Sequence, residues 1–206
     1  MFDDRKDAGQ QLGQALERYR GQRLLVLAIP RGGAEVGYRV ARYLDADFSL
    51  LIARKLPFPT NPESGFGAIA EDGSTFIYPT AAARVPRESI EEIINYQKEE
   101  IERRIEVLRD GEPLPDLADR TVILVDDGIA MGSTMRASIQ LCKNQKAGHV
   151  VVAVPVAGER AIRDIKPLVD DVVVLESPSY FRAVAQVYRH WRDVHDREVL
   201  EIMERI

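Results

Sequence analysis

The sequence predicts an α/β fold in which a doubly wound, mainly parallel sheet is flanked by helices. Five short apolar runs, rich in Val, Ile and Leu, do not alternate with polar residues, as expected for strands buried on both faces. Segments with helical spacing lie between most of these runs, which is typical of a parallel sheet. The runs span residues 24–29, 48–53, 121–125, 149–154 and 171–175.

Length and composition favour a single domain over residues 1–206. Of the 206 residues, 45% are hydrophobic and 30% are charged, an ordinary balance for a chain with a full core. The formal net charge of −5 gives no global electrostatic reason to bind nucleic acid. One cysteine and three histidines form no metal-binding pattern. No secretory signal and no apolar run near the ~20 residues of a membrane span is found, so a cytoplasmic protein without a membrane partner is expected.

Helices are predicted before, between and after the strands. An amphipathic helix over 4–19 precedes the first strand. Helices over 34–44, 133–146 and 159–166 follow later strands, and the first two place several apolar residues on one face. Residues 180–206 indicate one or two further helices, which form a C-terminal helical segment.

The connection over 56–112 is the irregular part of the predicted fold and forms an insertion. It opens with a Pro- and Gly-rich stretch, continues with an antiparallel strand pair over 67–70 and 75–78, and ends in a charged helix over 87–109. Long glycine-rich connections often act as lids, so residues 56–73 are predicted to close over a site. The sequence therefore predicts a β-hairpin and helix inserted into the parallel sheet.

One strand–loop–helix segment, from Val122 to Met135, carries the strongest functional signal. An apolar strand ends in two adjacent carboxylates, Asp126 and Asp127, and a loop of small residues leads to a helix that begins near Ser133. Helix N-termini offer free backbone N–H groups and a partial positive charge, which suit a phosphate group. Paired carboxylates at a strand end can accept hydrogen bonds from the vicinal hydroxyls of a ribose. The segment therefore predicts a sugar-phosphate site.

This segment resembles the phosphoribosyl pyrophosphate (PRPP) signature of type I phosphoribosyltransferases. Both consist of four apolar residues, two acids, a small loop and Gly-x-Thr. The resemblance implies that Asp126 and Asp127 bind the 2- and 3-hydroxyls of the ribose. It also implies that the loop binds the 5-phosphate through Ala130, Met131, Gly132, Ser133 and Thr134.

The turn after the first predicted strand supports the resemblance. In the family this turn binds pyrophosphate through backbone N–H groups and a basic residue, and it often contains a non-proline cis peptide. The corresponding residues here are Pro30, Arg31, Gly32 and Gly33. The resemblance therefore implies a cis bond between Pro30 and Arg31. On local evidence alone, a Gly-Gly turn with a surface arginine would explain the same residues.

The reaction implied by the resemblance transfers a phosphoribosyl group from PRPP to a nitrogen nucleophile and releases pyrophosphate, a glycosyl transfer typical of nucleotide metabolism. Arg31, Arg54 and Lys55 are the candidate catalytic residues, because family members place basic residues there to face the pyrophosphate. Without the resemblance, Arg54 and Lys55 are explained equally well as two residues at the end of the second strand whose charged groups extend into solvent. Mg²⁺ would be carried by PRPP near the two acids, without a direct protein ligand.

The acceptor is a nitrogenous molecule that the sequence does not identify. A pocket is expected near the later strands, where Val156, Tyr180 and Phe181 lie and where an aromatic ring could stack on a flat base. Glu71, in the predicted lid, is a candidate to orient the nucleophile.

Two loop positions depart from the family pattern. Many family members have Thr in place of Met131, and the 6-oxopurine enzymes have an acid in place of Ala130. Because Ala130 cannot transfer protons, a hypoxanthine or guanine transferase of the usual kind is disfavoured. These departures leave open an alternative function, a non-catalytic or regulatory protein that binds PRPP.

A dinucleotide enzyme is the other alternative. Gly32 to Gly37 follows a strand and opens a helix, which is similar to a loose form of the dinucleotide fingerprint. Against it, the second strand is followed by Arg54 and Lys55, where an acid should bind the ribose. The oligomeric state stays open, with a homodimer suggested only by analogy with the fold.

Overall fold

The computed structural model describes residues 1–206 and contains eight strands. They are β1 (Leu24–Ala28), β2 (Asp47–Leu50), β3 (Ala53–Phe58), β4 (Asn61–Ala70), β5 (Thr75–Ile77), β6 (Thr121–Val125), β7 (His149–Val156) and β8 (Asp171–Glu176). Five strands form a parallel sheet in the order β2–β1–β6–β7–β8, and three form a small antiparallel sheet in the order β3–β4–β5. The predicted mainly parallel sheet is confirmed.

Seven α-helices surround the two sheets. They are α1 (Arg5–Ala15), α2 (Gly32–Leu44), α3 (Pro79–Ala82), α4 (Arg87–Arg109), α5 (Ser133–Asn144), α6 (Glu159–Ile165) and α7 (Asp196–Met203). Side chains of β1 alternate between two cores. Leu24 and Val26 belong to the core that includes α1, α2 and α7, whereas Leu25 and Leu27 belong to the core that includes α5 and α6. Because both faces of β1 are buried, its sequence is continuously apolar.

The predicted insertion forms the small sheet followed by α3 and α4. β4 pairs with β5 through Gly67 and Ile77, which confirms the predicted antiparallel pair. The Pro- and Gly-rich stretch lies in β3 and β4, which pair as a hairpin, and its closure over a site stays a prediction. Leu56 and Phe66 anchor this hairpin in the core, since both side chains are fully buried.

The apolar run over 48–53 is divided between the two sheets. β2 ends at Leu50 in the parallel sheet, and β3 begins at Ala53 in the antiparallel sheet. Leu51 and Ile52, which connect the two strands, are fully buried, so the run has no polar break that would mark the boundary. Arg54 and Lys55 therefore lie within β3, and their predicted position at the end of the second strand is wrong.

Residues 180–206 contain one α-helix, α7, preceded by a short 3₁₀ helix at Val184–Val187. The backbone N–H of Phe2 donates to the carbonyl of Val187 (2.7 Å), and the N–H of Arg189 donates to the carbonyl of Phe2 (2.9 Å). These bonds hold the first residues against the segment that precedes α7. None of the helices combines the length and the apolar character needed to cross a bilayer.

Candidate functional site

The site lies beyond the carboxyl ends of β1 and β6, which are neighbours in the parallel sheet. Ala28 pairs with Val125, so the turns after the two strands begin at the same level. The chain passes from β1 to β2 on one side and later returns to β6 on the other side. Open α/β sheets bind ligands where the strand order reverses in this way. The fold thus brings together the two turns that the sequence singled out.

Asp126 and Asp127 follow β6 and form a linked pair. The backbone N–H of Asp127 donates to Oδ1 of Asp126 (2.8 Å), and Nε of Arg5 donates to Oδ2 of Asp127 (2.9 Å). Arg5 also stacks on the ring of Trp191 at 3.9 Å, which fixes its orientation. No N–H or O–H of the protein donates to Oδ2 of Asp126 or to Oδ1 of Asp127, although the two carboxyl groups lie close enough to share a hydrogen bond when one is protonated. Two carboxylate oxygens are therefore available as hydrogen-bond acceptors.

The environment of the two acids disfavours their charged forms. Burial raises the pKa of Asp126 well above its usual range, and the adjacent charge of Asp127 raises it further. Burial also raises the pKa of Asp127, although the guanidinium of Arg5 opposes this shift. Ionising both acids is therefore costly with Arg5 as the only contacting cation, which suits a ligand that brings hydroxyl donors or a further cation.

The turn after β1 packs directly on these acids. A Cβ on Gly32 would lie 2.0 Å from Oδ2 of Asp127, and a Cβ on Gly33 would lie 2.9 Å from Cα of Asp126. Only glycine permits this approach. The Pro30–Arg31 peptide is cis, which confirms the prediction for this bond. The N–H groups of Arg31 and Gly32 donate to no protein acceptor, so they remain available to a ligand.

The loop before α5 presents a row of free amides. Gly132 has a φ of +85°, a conformation that favours glycine, and it precedes the first residue of α5. The N–H groups from Ala130 to Met135 donate to no protein acceptor, whereas the flanking N–H groups of Ile129 and Arg136 are bonded to backbone carbonyls. Such a row at a helix N-terminus is suited to binding an anion. The five predicted phosphate-binding residues lie together in it.

The predicted leaving-group residues do not all converge. Arg31 is 40% exposed and contacts Asp196 at 3.5 Å. Arg54 points towards α4, where its Nε donates to Oε1 of Gln97 (3.0 Å). Lys55 points away from Arg54, because successive side chains of a strand alternate in direction, and its ammonium donates to the carbonyl of Glu63 (2.6 Å). Arg54 and Lys55 therefore cannot face one anion, and the hairpin holds Lys55 elsewhere.

The residues predicted for the acceptor pocket differ in their placement. Val156 is fully buried beneath Gly128, and Phe181 lies over Gly158, next to the loop before α5. Tyr180 is 85% exposed and does not close the same space.

Glu71 is not a residue that orients a nucleophile, because its carboxylate is fully engaged. It accepts two hydrogen bonds from Arg109, at 2.7 and 3.0 Å, and one from the N–H of Ile52 at 2.7 Å. Glu71 and Arg109 are 8% and 3% exposed. Their ion pair therefore joins α4 to the two sheets.

Three residues of the site were not found from the sequence. Arg5 neutralises Asp127, the hydroxyl of Tyr188 donates to the carbonyl of Asp127 (2.7 Å), and the hydroxyl of Tyr78 donates to the carbonyl of Met131 (2.8 Å). All three come from segments distant in the sequence. No local pattern marks them, since each depends on how the chain ends and the insertion pack around the sheet.

A family model described as the phosphoribosyl transferase domain matches residues 5–189. Two curated relatives from Mycobacterium tuberculosis are each 37% identical over 207 residues: "Putative phosphoribosyl transferase MT0597" of strain CDC 1551 / Oshkosh and "Putative phosphoribosyl transferase Rv0571c" of strain H37Rv. The match covers 100% of this chain and 47% of each relative. The chain thus spans about half the length of the curated relatives it matches.

The solved structure of TT1426 from Thermus thermophilus is also similar. It is 35% identical, with a TM-score of 0.81 over 98% of this chain and 97% of that chain. AQ2163 from Aquifex aeolicus is 12% identical, with a TM-score of 0.50 over 83% of this chain and 71% of that chain. At that identity the likeness concerns the fold alone.

Proposed function

Because this chain belongs to the phosphoribosyl transferase domain family, we propose that it transfers the phosphoribosyl group of PRPP to a nitrogen nucleophile and releases pyrophosphate. One observation carries the proposal. Paired carboxylates, a Gly-Gly turn and a row of unbonded amides surround the same two strand ends. Each of the three suits a different part of PRPP.

The loop before α5 and the two acids suit the ribose 5-phosphate half of PRPP. The amides from Ala130 to Thr134 bind the 5-phosphate, helped by the partial positive charge at the start of the helix. The two unbonded oxygens of Asp126 and Asp127 accept the 2- and 3-hydroxyls, which provide one donor each. The guanidinium of Arg5 bonds Asp127 and favours its charged form, although burial raises the pKa of this carboxyl.

The turn after β1 suits the pyrophosphate half. In the reaction, the bond from ribose C1 to the pyrophosphate oxygen breaks, its electron pair leaves with pyrophosphate, and a nitrogen lone pair forms the new bond to C1. The amides of Arg31 and Gly32 and the guanidinium of Arg31 stabilise the departing charge. Mg²⁺ would be carried by PRPP beside Asp126 and Asp127, where it would neutralise part of the pyrophosphate charge.

A protein that binds PRPP without turnover is the second candidate. Ala130 has no proton-transferring group, and the exposed side chain of Met131 has no hydroxyl for a phosphate oxygen. The acceptor pocket, with Val156 and Phe181 near the loop, remains a prediction for either function, since only turnover requires an acceptor.

Calorimetric titration with Mg-PRPP tests the proposed function. We expect micromolar binding by the wild type, on the order of −7 to −8 kcal/mol, and loss of most of it in the double variant Asp126→Asn, Asp127→Asn. The matched control is Glu88→Gln, Glu92→Gln, which removes the same charge from exposed positions of α4 and should bind as the wild type does.

Release of pyrophosphate separates the two candidates. Incubation with Mg-PRPP and a panel of nucleobases and other amines should release pyrophosphate with at least one acceptor if the protein is a transferase. Tight PRPP binding without release under any acceptor favours the non-catalytic function. Equal binding by the wild type and the double aspartate variant contradicts the ribose assignment.

A further inference from the structure

A charged side chain interrupts the buried face of α4. Gln97, Ile101, Arg104 and Leu108 follow a spacing of four, three and four residues, so they share one face of the helix. Gln97, Ile101 and Leu108 are buried. Arg104 is half-buried, and its Nε is shut off from solvent without a hydrogen-bond partner. The Nε of Arg104 is therefore a buried donor that no protein group satisfies.

Arg54 reaches the same face of α4 from β3. Its bond to Gln97 places it beside the helix, and its side chain is half-buried. No carboxylate oxygen lies within 4.0 Å of the guanidinium of Arg54 or Arg104. Arg109 on the same helix shows the contrast, because it is saturated by Glu71 and two backbone carbonyls. Two inward arginines are thus left without an anion.

Arg31 brings this cluster next to the turn after β1. Burial lowers the pKa of Arg104, and the neighbouring charges of Arg54 and Arg31 lower it further. Burial likewise lowers the pKa of Arg54. The charges of Glu100 and Tyr96 oppose this shift, whereas those of Arg103 and Arg31 add to it. The carboxylate in contact with the cluster is Asp196, 3.5 Å from Arg31. Repulsion among the half-buried cations is relieved when an anion with several charges binds between them.

We propose that Arg104 binds the pyrophosphate group of PRPP together with Arg54 and Arg31, an inference that rests on the proposed function. The guanidinium fork matches the spacing of phosphate oxygens, and three such groups suit the charge of pyrophosphate. α4 belongs to the insertion, so the insertion contributes a binding residue to the site rather than a mobile cover. This assigns to Arg104 a part in holding the leaving group.

The test compares Arg104→Gln with the wild type by titration of two probes, Mg-pyrophosphate and ribose 5-phosphate. We expect the variant to bind Mg-pyrophosphate about ten- to a hundredfold more weakly, as for a lost charged hydrogen bond. Its affinity for ribose 5-phosphate should stay within about twofold of the wild type. Arg87→Gln is the matched control: it removes the same charge from an exposed position of α4 and should leave both affinities unchanged.

Thermal unfolding without ligand excludes a structural explanation. Because Arg104→Gln removes an unpaired half-buried cation, its melting temperature should equal or exceed that of the wild type. A clear fall in melting temperature, or unchanged binding of Mg-pyrophosphate, would overturn the inference. A wild type that binds ribose 5-phosphate but not Mg-pyrophosphate overturns the role proposed for the three arginines and leaves the proposed function standing. A wild type that binds neither probe overturns the proposed function as well.

Discussion

Several charged residues of the candidate site lack full compensation by opposite charges within the protein. Asp126 and Asp127 lie side by side with one contacting cation, Arg5, and Arg54 and Arg104 lie in a half-buried cluster without a contacting carboxylate. Charges held in this way lower stability unless they are paired. PRPP carries the complementary groups for both clusters, namely hydroxyl donors with Mg²⁺ and a pyrophosphate. Ligand binding should therefore stabilise the fold.

Replacing Asp126 with Asn should stabilise the ligand-free protein at neutral pH. The folded state raises the pKa of Asp126 above its unfolded value, so its contribution to stability is fully present below the unfolded pKa and is lost as pH rises through the folded pKa. Asn cannot ionise, so the variant avoids the loss of stability that the wild type suffers at neutral pH. Its amide oxygen can still accept the hydrogen bond from the N–H of Asp127. We expect a melting temperature higher by about 2–4 °C per kcal/mol regained, measured from pH 4 to 8.

The pH dependence of the melting temperature provides a control for the Asp126→Asn prediction. The advantage of Asp126→Asn over the wild type should shrink as pH falls, because the wild-type carboxyl becomes protonated and neutral. Glu88→Gln, an exposed change, should show no such trend. A variant that is less stable than the wild type at pH 7 would show that the charge of Asp126 is already compensated within the protein.

Sequence patterns could identify residues whose role depends on their neighbours in the chain. The acids, the glycines and the Pro30–Arg31 bond belong to two short segments, and the structure brings these segments together. Arg5 and Tyr188 could not be found in this way, because they reach Asp127 across 122 and 61 residues. Lys55 diverges from Arg54 because both lie within β3, and the buried run over 48–53 does not mark where the second strand ends and β3 begins.

Among the elements, the insertion differs most from its prediction. Helix α4 was predicted with its observed bounds, since its apolar stripe extends over many turns. The stretch over 57–65, which spans the end of β3 and the start of β4, was interpreted as part of a lid because it is rich in Pro and Gly. In the structure this stretch forms a hairpin because β3 pairs with β4. The composition of a short segment does not show whether it will pair with a neighbouring strand. The insertion is thus attached to the core by buried side chains and by the ion pair of Glu71 and Arg109.

Breaking that ion pair should destabilise the whole fold. Arg109→Met leaves the buried carboxylate of Glu71 without its cation, and two backbone carbonyls lose their donor. We expect a loss of about 3–5 kcal/mol in the free energy of unfolding, measured by urea denaturation. The double variant Glu71→Gln, Arg109→Met should recover part of this loss, because the amide oxygen still accepts from Ile52. A single variant within about 1 kcal/mol of the wild type would contradict the anchoring role.

At the scale of the whole molecule, strand order creates the site. The sequence predicted five buried strands and their parallel arrangement, because an uninterrupted apolar run reports burial on both faces. It could not predict that β1 lies between β2 and β6, since that order is set by how helices cover the two faces. This adjacency places the acids against Gly32 and puts both turns at one edge of the sheet.

The two ends of the described chain complete this arrangement. Phe2 pairs with the segment around Tyr188, and α1 begins at Arg5 immediately afterwards. The ring of Trp191 then holds Arg5 against Asp127. The position of the acids therefore depends on packing between residues from both ends, which explains why the site extends over most of the matched family region.

Amide chemical shifts during titration with ribose 5-phosphate test the central claim most directly. ¹⁵N-labelled protein should show its largest shifts at the N–H groups from Ala130 to Thr134, because these amides have no acceptor until the phosphate arrives. The Asp126→Asn, Asp127→Asn variant should need a much higher ligand concentration to reach the same shifts. Amides of this loop that stay unmoved at saturation, with the shifts located elsewhere, would contradict the account.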